Sequence, residues 1–115
     1  MADACLFCRI HRREVPAAAV YEDAQVFAFR DLRPQAPTHV VVIPKTHIDR
    51  VAALTQDTAP LMGHLVLAAN HVARQEGLDT SGYRLVINCG HDGGQTVLHL
   101  HLHVLGGRAL AWPPG

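Results

Sequence analysis

The hydrophobic positions of this chain fall into short runs that predict five strands. The predicted strands are residues 19–22, 25–30, 38–44, 83–88 and 99–105. Within them, apolar residues alternate with polar ones or form continuous apolar runs, and both patterns are typical of strands. Residues 40–43 are all β-branched, as expected for a strand that is covered on both faces.

A different repeat, with apolar residues three and four positions apart, predicts one long helix over residues 57–76. Asp57 or Thr58 can cap its N-terminus, and Pro60 then lies in the first turn, where its missing N–H is harmless. Gly77 is suited to the left-handed position that ends many helices.

A short helix is predicted over residues 9–13, and it ends before Pro16 because proline disfavours the α conformation in the preceding residue. Residues 49–54 are expected to form a helical turn. Five short strands with segregated helices predict an α+β fold with a five-stranded antiparallel sheet, one long helix and one short helix. One long helix leaves the second face of such a sheet poorly covered, which suggests a dimer.

The chain has 115 residues, of which 49% are hydrophobic and 17% charged, so a single domain over residues 1–115 with a real core is expected. The formal net charge is zero and no basic run occurs, which argues against a nucleic-acid partner. No apolar run reaches the ~18 residues of a membrane span, and the N-terminus lacks the pattern of a signal peptide. A soluble, cytoplasmic protein without a membrane partner is expected.

Histidine is the compositional outlier, with nine copies, and three of them alternate with aliphatic residues. In a strand, His99, His101 and His103 project from one face while the aliphatic residues between them project into a core. Three imidazoles in a row add little to a sheet that valine or threonine would not, so this face is a candidate site for chemistry.

The loop that precedes these histidines has the residues of an anion site. Gly93 and Gly94 let backbone N–H groups approach a ligand closely, Thr96 adds a hydroxyl and Asn88 adds an amide. No lysine or arginine lies within residues 88–96, so backbone dipoles and histidines would stabilise the anion. Donors at one end of a row of histidines indicate a phosphate site.

A neutral imidazole nitrogen can attack phosphorus when its other nitrogen is held as a donor. His101, the middle residue, has a further donor on each side. His103 can hold a phosphate oxygen or pass a proton to the leaving group, and His39 of the neighbouring strand can orient His101. A covalent nucleotidyl-imidazole then divides one difficult displacement into two easier ones.

Other interpretations remain open at this level. Two histidines two residues apart can bind a catalytic metal ion together with a third ligand, although the outer pair of the three is ~13 Å apart along a regular strand. Cys5 and Cys8 have the spacing of half a zinc site, or are two buried, inert thiols. Asp31, which follows a strand, can be a turn former or can accept hydrogen bonds from ribose hydroxyls.

The pattern over residues 99–105, in which the three histidines are separated and followed by apolar residues, resembles the signature of the histidine-triad (HIT) nucleotide-binding family, and of its Hint branch in particular. The resemblance extends over nearly the whole chain. Its further segments are residues 29–31, 34–39, 43–45, 92–95, 106–108 and 112–115.

This resemblance implies a homodimer whose sheets join into one ten-stranded sheet, with a purine nucleotide in each subunit. It implies that His101 is the nucleophile, oriented by the backbone carbonyl of His99, with His103 on the α-phosphate and His39 supporting His101. The residues that it places around the nucleotide are Phe7, Val15, Phe29, Asp31, Leu32, Asn88, Gly94, Thr96 and Trp112. Among these, Asp31 would bind the ribose, the Gly94 amide and Thr96 the α-phosphate, and Trp112 would reach the partner subunit's site.

The reaction implied by the resemblance is hydrolysis of the P–N bond in purine nucleoside phosphoramidates such as AMP-lysine, with no metal required for catalysis. The cysteine pair resembles bacterial members that carry a structural zinc, which implies Cys5, Cys8, His47 and His99 as its ligands. The alternatives are a nucleotide-binding interaction dimer with vestigial hydrolysis and a metal-dependent hydrolase.

Overall fold

The computed structural model describes residues 4–115; residues 1–3, where no signal peptide is predicted, lie outside that range. Its helices are α1 (Leu6–His11) and α2 (Ala59–Gln75), with a 3-10 turn over Val51–Ala53. Its strands are β1 (Ala19–Glu22), β2 (Val26–Arg30), β3 (Thr38–Pro44), β4 (Tyr83–Val86) and β5 (Leu102–Gly106). All neighbours in the order β1-β2-β3-β5-β4 are antiparallel, which confirms the predicted α+β fold with a five-stranded sheet.

Helix α2 covers one face of this sheet. Its Leu65 and Val72 are fully buried in a cluster with Val40 and Val42 of β3 and with Leu102 of β5. Every residue of β3 is buried, as its apolar sequence predicts. No helix within residues 4–115 combines the length and hydropathy that a membrane crossing requires.

The ends of α2 agree with the prediction at the C-terminus and differ at the N-terminus. Gly77 has a φ of 74°, and the N–H of Leu78 donates to the carbonyl oxygen of Ala73 at 2.8 Å, so the helix closes as expected for a glycine in this position. At the other end, the Thr58 side chain makes no bond to the helix, because its hydroxyl accepts the N–H of Thr55 instead.

Helix α1 and the phenylalanines of β2 form a second core on the opposite face. Phe7 and Ile10 of the helix lie in one cluster with Phe27 and Phe29. The helix begins earlier than the predicted 9–13, because the Cys5 thiol accepts the N–H of Cys8 at 3.4 Å and thereby caps it.

Helix α1 ends for a different reason from the predicted effect of Pro16. Arg13 has a φ of 63°, which lies in the left-handed region and ends the helical path before Pro16 is reached. The N–H of Arg13 donates to the carbonyl oxygen of Ile10 at 2.9 Å, so the last turn is closed by its own backbone.

The strand predicted over residues 99–105 is regular only from Leu102 onwards. Its ladder with β3 ends at the pair Val42 and Leu102, because Pro44 of β3 has no N–H to donate further along. The N–H of Leu100 donates to the carbonyl oxygen of Ile48 instead, at 2.6 Å.

The predicted alternation of faces nevertheless holds. The aliphatic residues between the histidines lie in the cluster under α2, and His99 and His101 lie beside Phe7 on the opposite face, with ring centroids 5.9 and 5.1 Å from that of Phe7. The histidine face of the sheet is therefore the face that α1 covers.

Candidate active site

The ring of His101 is held by the backbone carbonyl of His99. Its Nδ1 lies 2.7 Å from the carbonyl oxygen of His99, and since a carbonyl only accepts, the proton is on Nδ1. The Nε2 atom of His101 therefore carries a lone pair. The Phe7 ring packs edge-on against the imidazole with an interplanar angle of 88° and supports it from the side of α1.

His103 has the opposite arrangement of protons. The backbone N–H of Gln35 donates to Nδ1 of His39 at 3.0 Å, so the neutral His39 carries its proton on Nε2. That Nε2 lies 2.8 Å from Nδ1 of His103, which must accept, and the proton of His103 is consequently on its own Nε2. The structure thus places His39 against His103, whereas the resemblance implied a direct support of His101.

The two central imidazoles are neighbours with complementary roles. The ring centroids of His101 and His103 are 5.1 Å apart. One ring offers a lone pair on Nε2 and the other offers an N–H on Nε2, so a nucleophile and a hydrogen-bond donor stand side by side.

Burial keeps His39 and His103, which form a hydrogen-bonded relay, in their neutral forms. It lowers the pKa of His103 to about 4, with His101 and His39 adding to the shift, and it lowers the pKa of His39 against the opposing effect of Asp31. A neutral pair at physiological pH agrees with the tautomers that the hydrogen bonds require.

We expect this burial to make the fold sensitive to acid. The unfolded chain binds a proton on His103 below pH ~6.5, and the folded chain does so only near pH 4. The free energy of unfolding should fall by up to about 3 kcal/mol as the pH drops through that window, and should be unaffected by this group above it. Urea unfolding between pH 7.5 and 4 measures the slope, which should be shallower in His103→Asn. The same substitution at His91, whose side chain is 102% exposed, should leave the slope as it is; equal slopes in all three proteins would contradict the expectation.

A cavity of about 380 Å³ opens beside His101. The predicted nucleotide contacts that line it are Phe7, Phe29, Asp31, Leu32 and Thr96. The predictions missed Leu6, Ile10, Arg33, Val41 and Val97, which also line it. Most of these walls are apolar, as a slot for a purine requires. A second, larger cavity lies next to it but is not lined by His99, His101 or His103. The smaller cavity is therefore the candidate site.

Val15 is the exception among the predicted slot residues. It lines a separate cavity of about 220 Å³ behind α1, together with Ile10 and Phe27. Val15 still packs against the second core, but the chain that follows the early end of α1 places it beside Ile10 and Phe27, outside the cavity that His101 lines. The expected contact between Val15 and a nucleotide is therefore not supported by its position.

Asp31 forms a turn and also faces the relay. Its Oδ1 accepts the N–H of Arg33 at 2.7 Å, and its Oδ2 lies 3.5 Å from Nε2 of His39. The three groups Asp31, His39 and His103 are close enough to be considered as metal ligands. His39 does not fit that role, because its Nδ1 accepts from Gln35 and its Nε2 must then keep the proton that a metal would displace.

The glycine loop, which comprises residues 89–96, does not form a free anion nest. The N–H of Gly94 donates to the carbonyl oxygen of His91 at 3.0 Å and is not free to bind a phosphate in this conformation. Asn88 donates from Nδ2 to the carbonyl oxygen of Gly93 at 2.7 Å, so it braces the loop. Gly93 is required by space, since a Cβ there would lie 2.8 Å from the backbone nitrogen of Cys89.

Gln95 lies in one of the segments that carry the resemblance, but no role was predicted for it. Its Oε1 accepts the N–H of Gly90 at 2.9 Å, and its Nε2 donates to the carbonyl oxygens of Asp49 and Val97 at 2.7 and 2.9 Å. It thereby fixes the glycine loop to the segment that follows β3. A glutamine directly before Thr96 was visible in the sequence, but its partners lie too far along the chain to be inferred.

The side chain of Trp112 is 82% exposed. The tail before it is fixed by Arg84, whose Nη2 donates to the carbonyl oxygens of Leu110 and Ala111 at 3.2 and 2.8 Å. The indole is thus presented outwards from an anchored tail, and it does not line the cavity beside His101.

The cysteine pair meets two histidines on the other side of α1. Cys5 Sγ lies 3.3 Å from Nδ1 of His99, and Cys8 Sγ lies 3.3 Å from Nδ1 of His47 and 3.6 Å from that of His99. All four ligand atoms lie within 4.8 Å of one another. The structure therefore brings together the four residues that the resemblance implied as zinc ligands.

The hydrogen bonds behind these imidazoles fit a metal. Nε2 of His99 donates to the carbonyl oxygen of Pro44 at 2.8 Å, and Nε2 of His47 donates to Oδ1 of Asp49 at 2.8 Å. Both Nδ1 atoms therefore carry lone pairs that face the thiols. Two sulfurs and two oriented imidazoles are the donor set of a structural zinc site.

The comparisons with known proteins agree with this architecture. A model of the HIT domain matches residues 12–110. An uncharacterized HIT-like protein of Synechococcus elongatus is 56% identical over 115 residues, which is the full length of both chains.

Solved structures are equally similar. The crystal structure of a HIT family hydrolase from Legionella pneumophila has a TM-score of 0.95 and 50% identity, covering 96% of this chain and 99% of that one. A histidine triad protein from Clostridium difficile has a TM-score of 0.91 and 43% identity, covering 93% of each chain. The chain belongs to the HIT domain family.

Proposed function

We propose that this protein hydrolyses the P–N bond of purine nucleoside phosphoramidates through a covalent intermediate on His101, as in the Hint branch of the family. The observation that carries the proposal is the 2.7 Å hydrogen bond from Nδ1 of His101 to the carbonyl oxygen of His99, which leaves Nε2 as a lone-pair nucleophile. The similarity to the Legionella protein, whose name describes a hydrolase, supports the reaction class.

The first step forms one bond and breaks one. The Nε2 lone pair of His101 attacks the α-phosphorus, the P–N bond breaks, and the departing amine takes a proton. His103 is placed to assist this transfer, since its Nε2–H is a donor next to His101 that can bond to the leaving nitrogen. Because a neutral imidazole is a weak acid, the proton itself is drawn from solvent.

The second step restores the enzyme. Water attacks the phosphorus, the bond between phosphorus and Nε2 of His101 breaks, and the nucleoside monophosphate leaves. The attacking water releases one proton to solvent, which replaces the proton drawn in the first step, and His103 keeps its Nε2–H throughout. The protons balance over the cycle, and no external oxidant or reductant is needed.

The rest of the cavity suits the nucleoside. Phe7 and Phe29 pack edge-on with ring centroids 5.4 Å apart and offer an apolar wall for a purine. Asp31 has a carboxylate at the rim that can accept from the ribose hydroxyls, and Thr96 at the other end has a hydroxyl for the phosphate. Leu32, 94% exposed in the free chain, is available to cover the base.

We further propose that Cys5, Cys8, His47 and His99 hold a structural zinc ion, which would crosslink the start of α1 to the segments that flank β3 and β5. A homodimer with a joined sheet remains part of the proposal, and the outward Trp112 on its anchored tail would then serve the partner subunit's site.

The proposal is tested by the release of a fluorescent amine from an adenosine 5′-phosphoramidate. We expect steady turnover with AMP as the second product, no inhibition by a chelator, and a nucleotidyl adduct of the protein that is labile in acid and stable in base, detected by mass spectrometry after rapid alkaline quenching. Binding of AMP without turnover would contradict the enzyme and favour a nucleotide-binding interaction dimer. Turnover lost on chelation, with the circular dichroism spectrum unchanged, would indicate a metal-dependent hydrolase.

A further inference from the structure

Gln35 connects the histidine relay to the C-terminal part of the chain. Its backbone N–H is the donor to Nδ1 of His39, and this one bond decides which nitrogen of His39 carries the proton. The segment around Gln35 is an exposed loop between β2 and β3, and a loop amide is free to rotate unless something else holds it.

Arg108 holds it. Its Nε and Nη2 both donate to the carbonyl oxygen of Gln35, at 3.1 and 3.0 Å, and its Nη1 donates to the carbonyl oxygen of Ala109 at 3.0 Å. Within residues 4–115, the guanidinium has no carboxylate partner, so its hydrogen bonds go to backbone carbonyls alone. The neighbouring Gly107 allows this approach, since a Cβ there would lie 2.9 Å from the ring of Pro37.

We propose that Arg108 is a positioning residue for the reaction, acting through the Gln35 peptide and His39 on the tautomer of His103. The expected change in rate rests on the proposed function. The expected tautomers of His39 and His103 rest on the hydrogen-bond geometry alone.

The chain of hydrogen bonds has a fixed direction. Arg108 holds the Gln35 carbonyl, and this restrains the adjoining peptide unit, whose N–H faces Nδ1 of His39. Nε2–H of His39 then donates to His103 at 2.8 Å. If the Gln35 N–H turns away, His39 is free to move its proton to Nδ1. Nε2 of His39 then becomes an acceptor, and His103 must place its own proton on Nδ1 to bond with it.

The consequence falls on the leaving group. In the altered arrangement His103 offers a lone pair on Nε2 in place of an N–H, so it cannot donate a hydrogen bond to the departing amine. The Asp31 carboxylate, 3.5 Å from Nε2 of His39, favours a proton on that nitrogen and partly opposes the change. We therefore expect a reduced rate of the chemical step rather than its abolition, with substrate binding little affected because Arg108 does not line the cavity beside His101.

The experiment compares Arg108→Gln, Arg108→Lys and, as a matched control, Arg13→Gln, whose guanidinium is a surface group paired with Glu22. Long-range 1H–15N spectra report which ring nitrogen of each histidine is protonated, with signals assigned from His39→Asn and His103→Asn. Turnover of the adenosine phosphoramidate gives kcat and KM for each variant.

In the parent protein we expect both His39 and His103 to be protonated on Nε2. In Arg108→Gln the two signals should shift towards protonation on Nδ1, and kcat should fall about ten- to a hundredfold, as when an outer hydrogen-bond partner of a functional imidazole is removed, with KM changed less than about twofold. Arg108→Lys, which keeps one charged donor, should recover part of both effects, and Arg13→Gln should show neither.

Unchanged tautomers in Arg108→Gln would overturn the inference, even if the melting temperature falls. The tautomer measurement needs no turnover, so a parent protein that lacks phosphoramidase activity would contradict the proposed function and still decide the role of Arg108. If Arg108→Gln does not fold, the spectra of Arg108→Lys decide it, since weaker support should give a partial shift.

Discussion

Replacing His101 with alanine should lower kcat/KM for an adenosine phosphoramidate by at least about 1,000-fold. The substitution removes the only Nε2 lone pair that the structure places between the Phe7 ring and the His103 donor. The other groups remain, so the slot should still bind AMP, with its dissociation constant changed by less than about tenfold. Steady-state release of the amine and calorimetric titration with AMP measure the two effects separately.

His91→Ala is the matched control for this experiment, since it removes an imidazole from the exposed tip of the glycine loop. It should keep the parent turnover. His103→Ala should fall between the two, because loss of a side chain that assists proton transfer to the leaving group typically costs about 10²–10⁴-fold while the nucleophile remains. Turnover within tenfold of the parent in His101→Ala would rule out a covalent intermediate on that residue.

Cys8→Ser should produce the largest change in stability. Cys8 Sγ contacts Nδ1 of both His47 and His99, so this thiol is central to the proposed zinc site. We expect the purified parent to contain one zinc per chain, and the variant to contain none and to melt at least about 10 °C lower. Elemental analysis and thermal unfolding monitored by circular dichroism give both values.

The chain supplies its own control in Cys89, a third cysteine that lies in the glycine loop outside the cluster. Cys89→Ser should keep the zinc and the melting temperature. Below its melting temperature, Cys8→Ser should retain measurable turnover if the metal is structural. Equal melting temperatures for the two serine variants would contradict a stabilising metal.

The fold could be predicted from the sequence because its main signals are local. The β-branched run in β3 and the alternation around Leu102 report burial on one or both faces directly, and Gly77 reports the end of α2. The histidine alternation also predicted the site, since a two-residue repeat places side chains on one face even where the strand is irregular, as it is at His99 and His101.

What the sequence could not provide is the set of hydrogen bonds between distant segments. Gln95 and Gln35 act through backbone groups whose partners depend on the folded path of the loops. The N–H of Gly94 was expected to bind phosphate, but whether a loop amide is free or bonded internally is decided by that same path. The turn at Arg13, which carries Val15 away from the slot, rests on a left-handed conformation that arginine rarely adopts.

His99 has two separate roles, one for its side chain and one for its backbone carbonyl. Its imidazole faces the thiols, and its carbonyl oxygen holds the proton on Nδ1 of His101. The atom that orients the nucleophile thus belongs to the backbone, while the side chain of the same residue fills a fully buried position and donates to the carbonyl oxygen of Pro44. A protein that dispensed with the two cysteines could therefore replace His99 and keep the same chemistry, provided that the new side chain filled this position and that the turn that presents the carbonyl were preserved.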